Sequence, residues 1–333
     1  MNRMELAQIK QVEVISRGRL HMGFFDLHGG MGRKYGGIGL SLSAPRQTLT
    51  VSLADSWSAD SKAQTRALLI AQQLMAKLNL QAALKLEVEQ GLPEHAGLGS
   101  GTQLALAVGT AISRLFQLNL TTQDIASLTG RGKRSGIGIS AFDHGGLLID
   151  GGRRLSAGTA TSIPPLLARY DFPEAWRILL VLDSEQAGMH GEHERVAFTQ
   201  LPPFPENLAA QLCRHVLMQA MPAMLEQDLD AFGRAIQVLQ SHVGDYFAPA
   251  QGGRYASNKV AAVLQHLASQ GVACFGQSSW GPTGFAVLAN SVSAEAHLAE
   301  LKTKFSQSGL SWLICSGYNG GAQWSLTNNT GVL

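Results

Sequence analysis

Cysteine is scarce in this chain. Cys213, Cys274 and Cys315 are odd in number, far apart and without CxxC spacing, which argues against a disulfide framework and a structural zinc site and makes the cytoplasm the expected compartment. Net charge is equally sparse. The 26 basic and 24 acidic residues leave only +2, too little to set up a general field for nucleic acid, so a small acidic substrate fits better than a polyanion. Long apolar runs are missing as well: none approaches the ~18 residues that cross a bilayer, and Met1 to Lys10 has no apolar signal core. Neither export nor membrane insertion is expected.

What is present describes a globular protein of more than one core. At 333 residues with 45% hydrophobic and 15% charged composition, two domains are the default. Alternation predicts strands at Val12 to Ile15, Ile38 to Leu42, Thr48 to Leu53 and Leu84 to Glu89, and helical periodicity marks Ala63 to Leu78, an apolar run from Leu104, and Thr121 to Leu128. A glycine-rich stretch, Gly130 to Gly152, carries a short strand at Leu147 to Ile149. Pro164 and Pro165 then break the pattern, which places a boundary between residues 1–165 and 166–333. The second part opens on a buried strand, Trp176 to Leu182, followed by helices near Asn207 to Leu225, Asp228 to Ser241 and Ala256 to Ser269. It ends in strand Val272 to Phe275, strand Gly284 to Leu288, helix Ala294 to Ser306 and strand Ser311 to Cys315. That order suits a ferredoxin-like split sheet, and the whole reads as α+β.

The segment Pro-Glu-His-Ala-Gly-Leu-Gly-Ser-Gly-Thr-Gln, Pro93 to Gln103, lies between a strand and a helix. Glycines let the backbone curl and present N–H groups while the helix aims its positive end at the same point, the form of an anion-binding loop. It lacks the lysine of a Walker loop, and Thr102 stands where a Rossmann loop has its third glycine. A plain tight turn remains the competing reading.

Three segments together resemble the GHMP kinase superfamily: Ser16 to His21, the Pro93 to Gln103 loop, and Gly276-Gln-Ser-Ser-Trp-Gly-Pro282. The resemblance implies a GHMP kinase-like two-domain fold, with a ribosomal protein S5 domain 2-like N-terminal domain and a ferredoxin-like C-terminal domain. Against the pattern Pro-x-x-x-Gly-Leu-Gly-Ser-Ser-Ala, the residues Gly101, Thr102 and Gln103 depart. Where small-alcohol kinases of the superfamily carry an aspartate after Ser-Gly-Ile, Ser135-Gly136-Ile137 is followed by Gly138.

Within the superfamily, Arg19 to Asp26, the Gly97 to Gln103 run and Gly276 to Gly284 look like the β-ribofuranosylaminobenzene 5′-phosphate synthase branch. The resemblance implies condensation of phosphoribosyl pyrophosphate with 4-aminobenzoate or 4-hydroxybenzoate, with release of carbon dioxide and pyrophosphate, in tetrahydromethanopterin synthesis. It implies catalytic roles for Arg19, His21 and Asp26. Phosphate and substrate binding would fall to Gly97, Leu98, Gly99, Ser100, Gly101, Thr102 and Gln103, and to Arg131, Lys133, Arg134, Ser278, Ser279 and Trp280. Magnesium is the expected ion, with Asp26, Asp143, Asp150 or Glu192 as candidate contacts, and no organic cofactor is expected. A homodimer is the family expectation. An ATP-dependent small-molecule kinase of the same superfamily is the alternative, and a non-catalytic binder of phosphorylated ligands a third.

Single features have plainer readings beside these. His190-Gly-Glu-His-Glu194 lacks the spacing of zinc hydrolases and reads as a solvated or substrate-contacting loop. His21 and His95 flank motif positions, where a hydrogen-bonded structural histidine is equally ordinary. Trp280 beside glycine and proline could stack on a substrate ring or simply pack.

Overall fold

The computed structural model describes residues 9–155, 163–186, 188 and 201–328. Two long antiparallel strands, β1 (Ile9–Asp26) and β2 (Arg33–Ala54), form the spine. Three separately predicted strands merge into these two. Around them come α1 (Lys62–Lys77), β3 (Ala83–Glu89), α2 (Ser100–Leu115), α3 (Thr122–Leu128), α4 (Ile137–Asp143), β4 (Leu147–Asp150), β5 (Arg153–Arg154) and β6 (Leu166–Tyr170). The rest runs β7 (Arg177–Leu182), α5 (Glu206–His215), a π-helical turn (Val216–Ala220), α6 (Met221–Glu226), α7 (Leu229–Gln251) and α8 (Asn258–Ser269). It finishes with β8 (Cys274–Gln277), β9 (Gly284–Leu288), α9 (Ser291–Lys304), β10 (Ser311–Cys315) and β11 (Gln323–Asn328).

The first sheet has the path β11-β1-β2-β4-β6, with β3 and β5 also on β2. It therefore takes β6 and β11 from beyond residue 165. The second sheet has the order β10-β7-β9-β8, every pair antiparallel. Counted within the unit that is fourth-first-third-second, the ferredoxin-like arrangement.

Side-chain periodicity explains how the sheets are covered. Along β7, Ile178 and Leu180 enter one core while Leu179 and Val181 enter another, which is why this strand reads as an unbroken apolar run. In β1 the pairing with β2 slips between Arg17 and Arg19. Val12 and Val14 before the slip pack with α1 and α2, whereas Leu20 and Met22 after it pack with α5 to α7 and the second sheet. A bulge of this kind lets one strand serve two cores and leaves its middle, Arg17 to His21, at the seam. Helix α2 is buried along nearly its whole length, from Ser100 to Leu115, as a helix apolar on most faces must be.

Candidate functional site

The glycine loop connects β3 to α2. Gly97 and Gly99 take φ of 77° and 82°, the left-handed region that side chains avoid. Gly99 is the N-cap of α2, and its carbonyl accepts from the N–H groups of Thr102 and Gln103, both at 3.0 Å. The helix thus starts at Ser100 and not at Leu104. Its first turn is Ser100-Gly101-Thr102-Gln103, too polar for hydrophobic periodicity to register. Ahead of Thr102 and Gln103, the N–H groups of Ser100 and Gly101 have no carbonyl of this helix to bond, so the turn presents two donors and the positive end of the dipole.

All three sequence motifs meet at this loop. The Arg19 N–H donates to the Leu98 carbonyl at 3.0 Å and its Nη1 to the Gly97 carbonyl at 2.5 Å. Ser278 Oγ donates to the same Gly97 carbonyl at 2.8 Å and accepts from the His21 N–H at 3.1 Å, while the Ser279 N–H donates to the His21 carbonyl at 3.0 Å. A Cβ on Gly97 would overlap the Ser278 carbonyl, and one on Gly281 would overlap the backbone of Ala96 and Gly97. Glycine is required at both positions by backbone contact between the first and second units.

Cations gather over the first turn of α2. A Cβ on Gly101 would stand 2.7 Å from Arg66 Nη2 and 3.3 Å from Arg131 Nη1, so the missing side chain admits two guanidinium groups. Burial, and then the neighbouring Arg66 charge, lower the pKa of Arg131 from its ordinary value, and its Nε is buried without a hydrogen-bond partner among the described residues. Arg66 Nη1 donates to Glu94 Oε1 at 3.0 Å, with Lys62 Nζ 3.4 Å from Oε2. Lys133 is exposed and Arg134 half-buried; of the expected basic trio, Arg131 is the member found against Gly101.

The expected carboxylates within the described residues each accept hydrogen bonds from their own surroundings. Asp26 ends β1 and accepts from the His28 and Gly29 N–H groups at 3.0 and 2.9 Å, an Asx turn seven residues beyond Arg19. Asp143 ends α4 and accepts from Thr122 Oγ1 at 2.5 Å. Asp150 is fully buried, accepting from Ser135 Oγ, Gly136 N–H and Gly152 N–H at 2.8 to 2.9 Å; burial raises its carboxyl pKa against the pull of those bonds. It pins the start of α4. Glu192, with His190 and His193, lies outside the described residues. Among the described residues no group of three or more His, Cys, Asp or Glu side chains could hold a metal; a magnesium ion carried by substrate phosphates needs only one or two carboxylates. At Gly138, where the kinase aspartate is missing, Gln103 Nε2 donates to the Gly138 carbonyl at 2.8 Å.

Beside the loop opens a small pocket, partly open to solvent. Its apolar wall is Phe24, Val243, Phe247 and Trp280, and its polar groups include His21, Gln277, Ser279 and Arg254. The Phe247 and Trp280 rings are 4.2 Å apart between centroids; such a pair contributes ~1 kcal/mol beyond its buried area. His21 is buried, with Nε2 unpartnered among the described residues. Burial first, then the Arg19 charge, lower its pKa to about 3, so the ring is neutral at ordinary pH. Arg254 is gripped by Asp245 through two bonds of 2.7 and 2.8 Å. Arg66, Phe247 and Arg254 escape the sequence reading because each sits on or beside a long amphipathic helix, where it reads as a surface or core residue.

The chain is similar to known proteins over most of its length. The family described as GHMP kinases N terminal domain matches residues 65–146, and GHMP kinases C terminal matches residues 220–307. A β-ribofuranosylphenol 5′-phosphate synthase of Archaeoglobus fulgidus is 37% identical over 278 residues, covering 81% of this chain and 85% of the relative. The enzyme of the same name from Methanothermobacter thermautotrophicus is 29% identical over 287 residues, covering 81% and 86%. Among solved structures, homoserine kinase from Cytophaga hutchinsonii superimposes with a TM-score of 0.66 at 14% identity, over 95% of this chain and 98% of that one. Mevalonate diphosphate decarboxylase from Enterococcus faecalis gives 0.65 at 16% identity, over 96% and 100%. At such identities these two speak for the fold alone.

Proposed function

This chain belongs to the β-ribofuranosylphenol 5′-phosphate synthase family of GHMP-kinase-fold enzymes, and from that premise we propose that it joins phosphoribosyl pyrophosphate to 4-hydroxybenzoate. The observation that carries the reading is the shared wall between an anion site and an aromatic pocket: His21, Ser278 and Ser279 tie β1, the glycine loop and the β8–β9 turn together. One side suits a pyrophosphate, the other a flat arene.

In this reading the first turn of α2 and Arg131 hold the pyrophosphate. As the bond from the anomeric carbon to the pyrophosphate oxygen breaks, its electron pair leaves with pyrophosphate, and the helix dipole and guanidinium stabilise the growing charge. The arene sits between Phe24, Phe247 and Trp280, with Arg254 as its carboxylate partner at the pocket rim. The ring carbon bearing the carboxylate attacks the anomeric carbon from the face opposite the leaving group, which gives the β-configuration. The bond to the carboxylate then breaks, carbon dioxide departs, and that electron pair restores the aromatic ring. Neutral His21 serves as a hydrogen-bonding group, not as a charged acid. No proton needs a strong base at the step that forms the carbon-carbon bond, which accords with glycine at position 138. Magnesium is proposed to arrive as counter-ion of the substrate phosphates, with no protein ligand assigned to it.

The relatives are named for a phenol product, and a phenol keeps the hydroxyl of 4-hydroxybenzoate; this favours that acid over 4-aminobenzoate. The test is incubation with phosphoribosyl pyrophosphate, magnesium and either acid labelled in its carboxyl group. Labelled carbon dioxide and pyrophosphate should appear together, faster with the hydroxy acid. No release from either, with ATP consumed in the presence of a small alcohol, would replace the reading with a kinase.

A further inference from the structure

Resting on the assignment of the α2 terminus to pyrophosphate, we propose that Arg66 is a pyrophosphate ligand and that Glu94 is the internal anion it exchanges for that ligand. The two nitrogens of the Arg66 fork face different ways. Nη1 is bonded to Glu94 at 3.0 Å, while Nη2 lies 2.7 Å from the point where a Gly101 side chain would begin. Arg131 Nη1 reaches the same point, at 3.3 Å.

Charge does not balance there. Arg66, Arg131 and Lys62 converge with the positive end of a 16-residue helix, and Glu94 is the carboxylate that ion-pairs with two of them. Lys62 is 88% exposed and its pairing is weak, whereas Arg66 and Glu94 are 29% and 27% exposed and less screened. Two like-charged guanidiniums over a helix N-terminus repel each other until an anion joins them. Pyrophosphate supplies more charge and more acceptor oxygens than one carboxylate, and a guanidinium fork matches them in pairs.

Glu94 belongs to the same loop, three residues before Gly97. Burial alone would raise its carboxyl pKa, but the bond to Arg66 and then Lys62 bring it below the ordinary value. It is ionised and within reach whenever Arg66 is free to return. Substrate binding draws Arg66 from Glu94 to the pyrophosphate; after the chemistry, Glu94 competes for Arg66 and weakens the hold on the product. Arg66 contacts the leaving group directly, and Glu94 sets how tightly that group is kept.

Calorimetric titration of sodium pyrophosphate into the full chain tests this, with EDTA present and again with magnesium chloride. Relative to the unsubstituted chain, Arg66→Gln should bind at least about tenfold more weakly, Arg66→Lys in between, and Glu94→Gln about tenfold more tightly. A gain in affinity cannot be mimicked by unfolding. In turnover, Arg66→Gln should raise KM for phosphoribosyl pyrophosphate and leave KM for the aromatic acid unchanged. Equal affinity in Glu94→Gln and the unsubstituted chain, or in Arg66→Gln, overturns the exchange while the synthase reading stands. Weaker binding by Glu94→Gln only when magnesium is present would make Glu94 a metal contact and also overturn it. If the unsubstituted chain binds no pyrophosphate in either buffer, the assignment of the loop falls and the exchange falls with it.

Discussion

The methyl group of Thr102 fills the place where a side chain at position 138 would begin: a Cβ on Gly138 would stand 3.1 Å from Thr102 Cγ2. Two departures from the kinase pattern, one in each motif, are therefore a single packing solution between α2 and α4. Gln103 completes it by donating to the Gly138 carbonyl. A carboxylate cannot be restored at position 138 without moving Thr102.

This coupling is measurable. Gly138→Ala is expected to destabilise the fold by about 1 kcal/mol, the overpacking term exceeding the gain in helix propensity. In a Thr102→Ser background, which lacks the methyl group, that loss should shrink by at least about 0.5 kcal/mol. Urea unfolding of the four proteins provides the comparison, and strictly additive changes would refute the contact.

Gly101→Ser restores the superfamily residue and places a Cβ where Arg66 Nη2 now approaches. The guanidinium sits at the end of a flexible side chain, so it can yield; stability should stay within about 0.5 kcal/mol. KM for phosphoribosyl pyrophosphate should rise about tenfold, some 1.4 kcal/mol, with little change for the arene. Steady-state kinetics with each substrate varied in turn decides it, and an unchanged KM would remove Gly101 from the anion site.

The aromatic pocket predicts the reverse pattern. Arg254→Gln and Phe247→Leu should raise KM for the aromatic acid, by about tenfold for the arginine, and leave that for phosphoribosyl pyrophosphate alone. Arg254→Gln should have no effect on a neutral ring competitor such as phenol. Parallel rises for both substrates would place the arene elsewhere.

His21 contributes a pH signature. Its folded pKa is about 3, below the ordinary 6.5, so the unfolded chain binds the proton first on acidification. The neutral ring's contribution to stability is complete above 6.5 and is lost as pH falls from there towards 3. Replacement by glutamine should remove up to about one proton, ~1.4 kcal/mol per pH unit, from the slope of unfolding free energy in that window. Denaturant unfolding at pH 4.5, 5.5 and 7.5 tests the sign, and identical slopes would be incompatible with a buried neutral ring.

Much of this was legible in the sequence for physical reasons. The glycine loop announced itself because Gly97 and Gly99 need positive φ, and β7 because alternate residues enter two cores. The ferredoxin-like order followed from the spacing of its apolar runs. Helix α4 was hidden, since Gly136 and Gly138 mimic a loop; what fixes it is Asp150 holding the Ser135 hydroxyl and Gly136 N–H from a distant strand. Strand β11 was missed although Trp324 and Leu326 alternate with Gln323, Ser325 and Thr327; it is six residues long and follows the ferredoxin-like unit that the sequence order suggested. Arg66 could not be assigned from periodicity, because its contact with Gly101 is made across 35 residues of chain. The resemblance supplied the family, while the choice of Arg131 from among its basic neighbours needed the fold.

The pairing of β11 with β1 carries a consequence for how the chain comes into being. Ile9 to Ile15 are made more than 300 residues before their outer partner, Gln323 to Asn328. Until then one edge of the first sheet offers unpaired N–H and C=O groups to any passing strand. Halting synthesis before β11 would leave the loop-bearing unit with an open, adhesive edge, so the order of translation is itself a hazard that the finished fold removes.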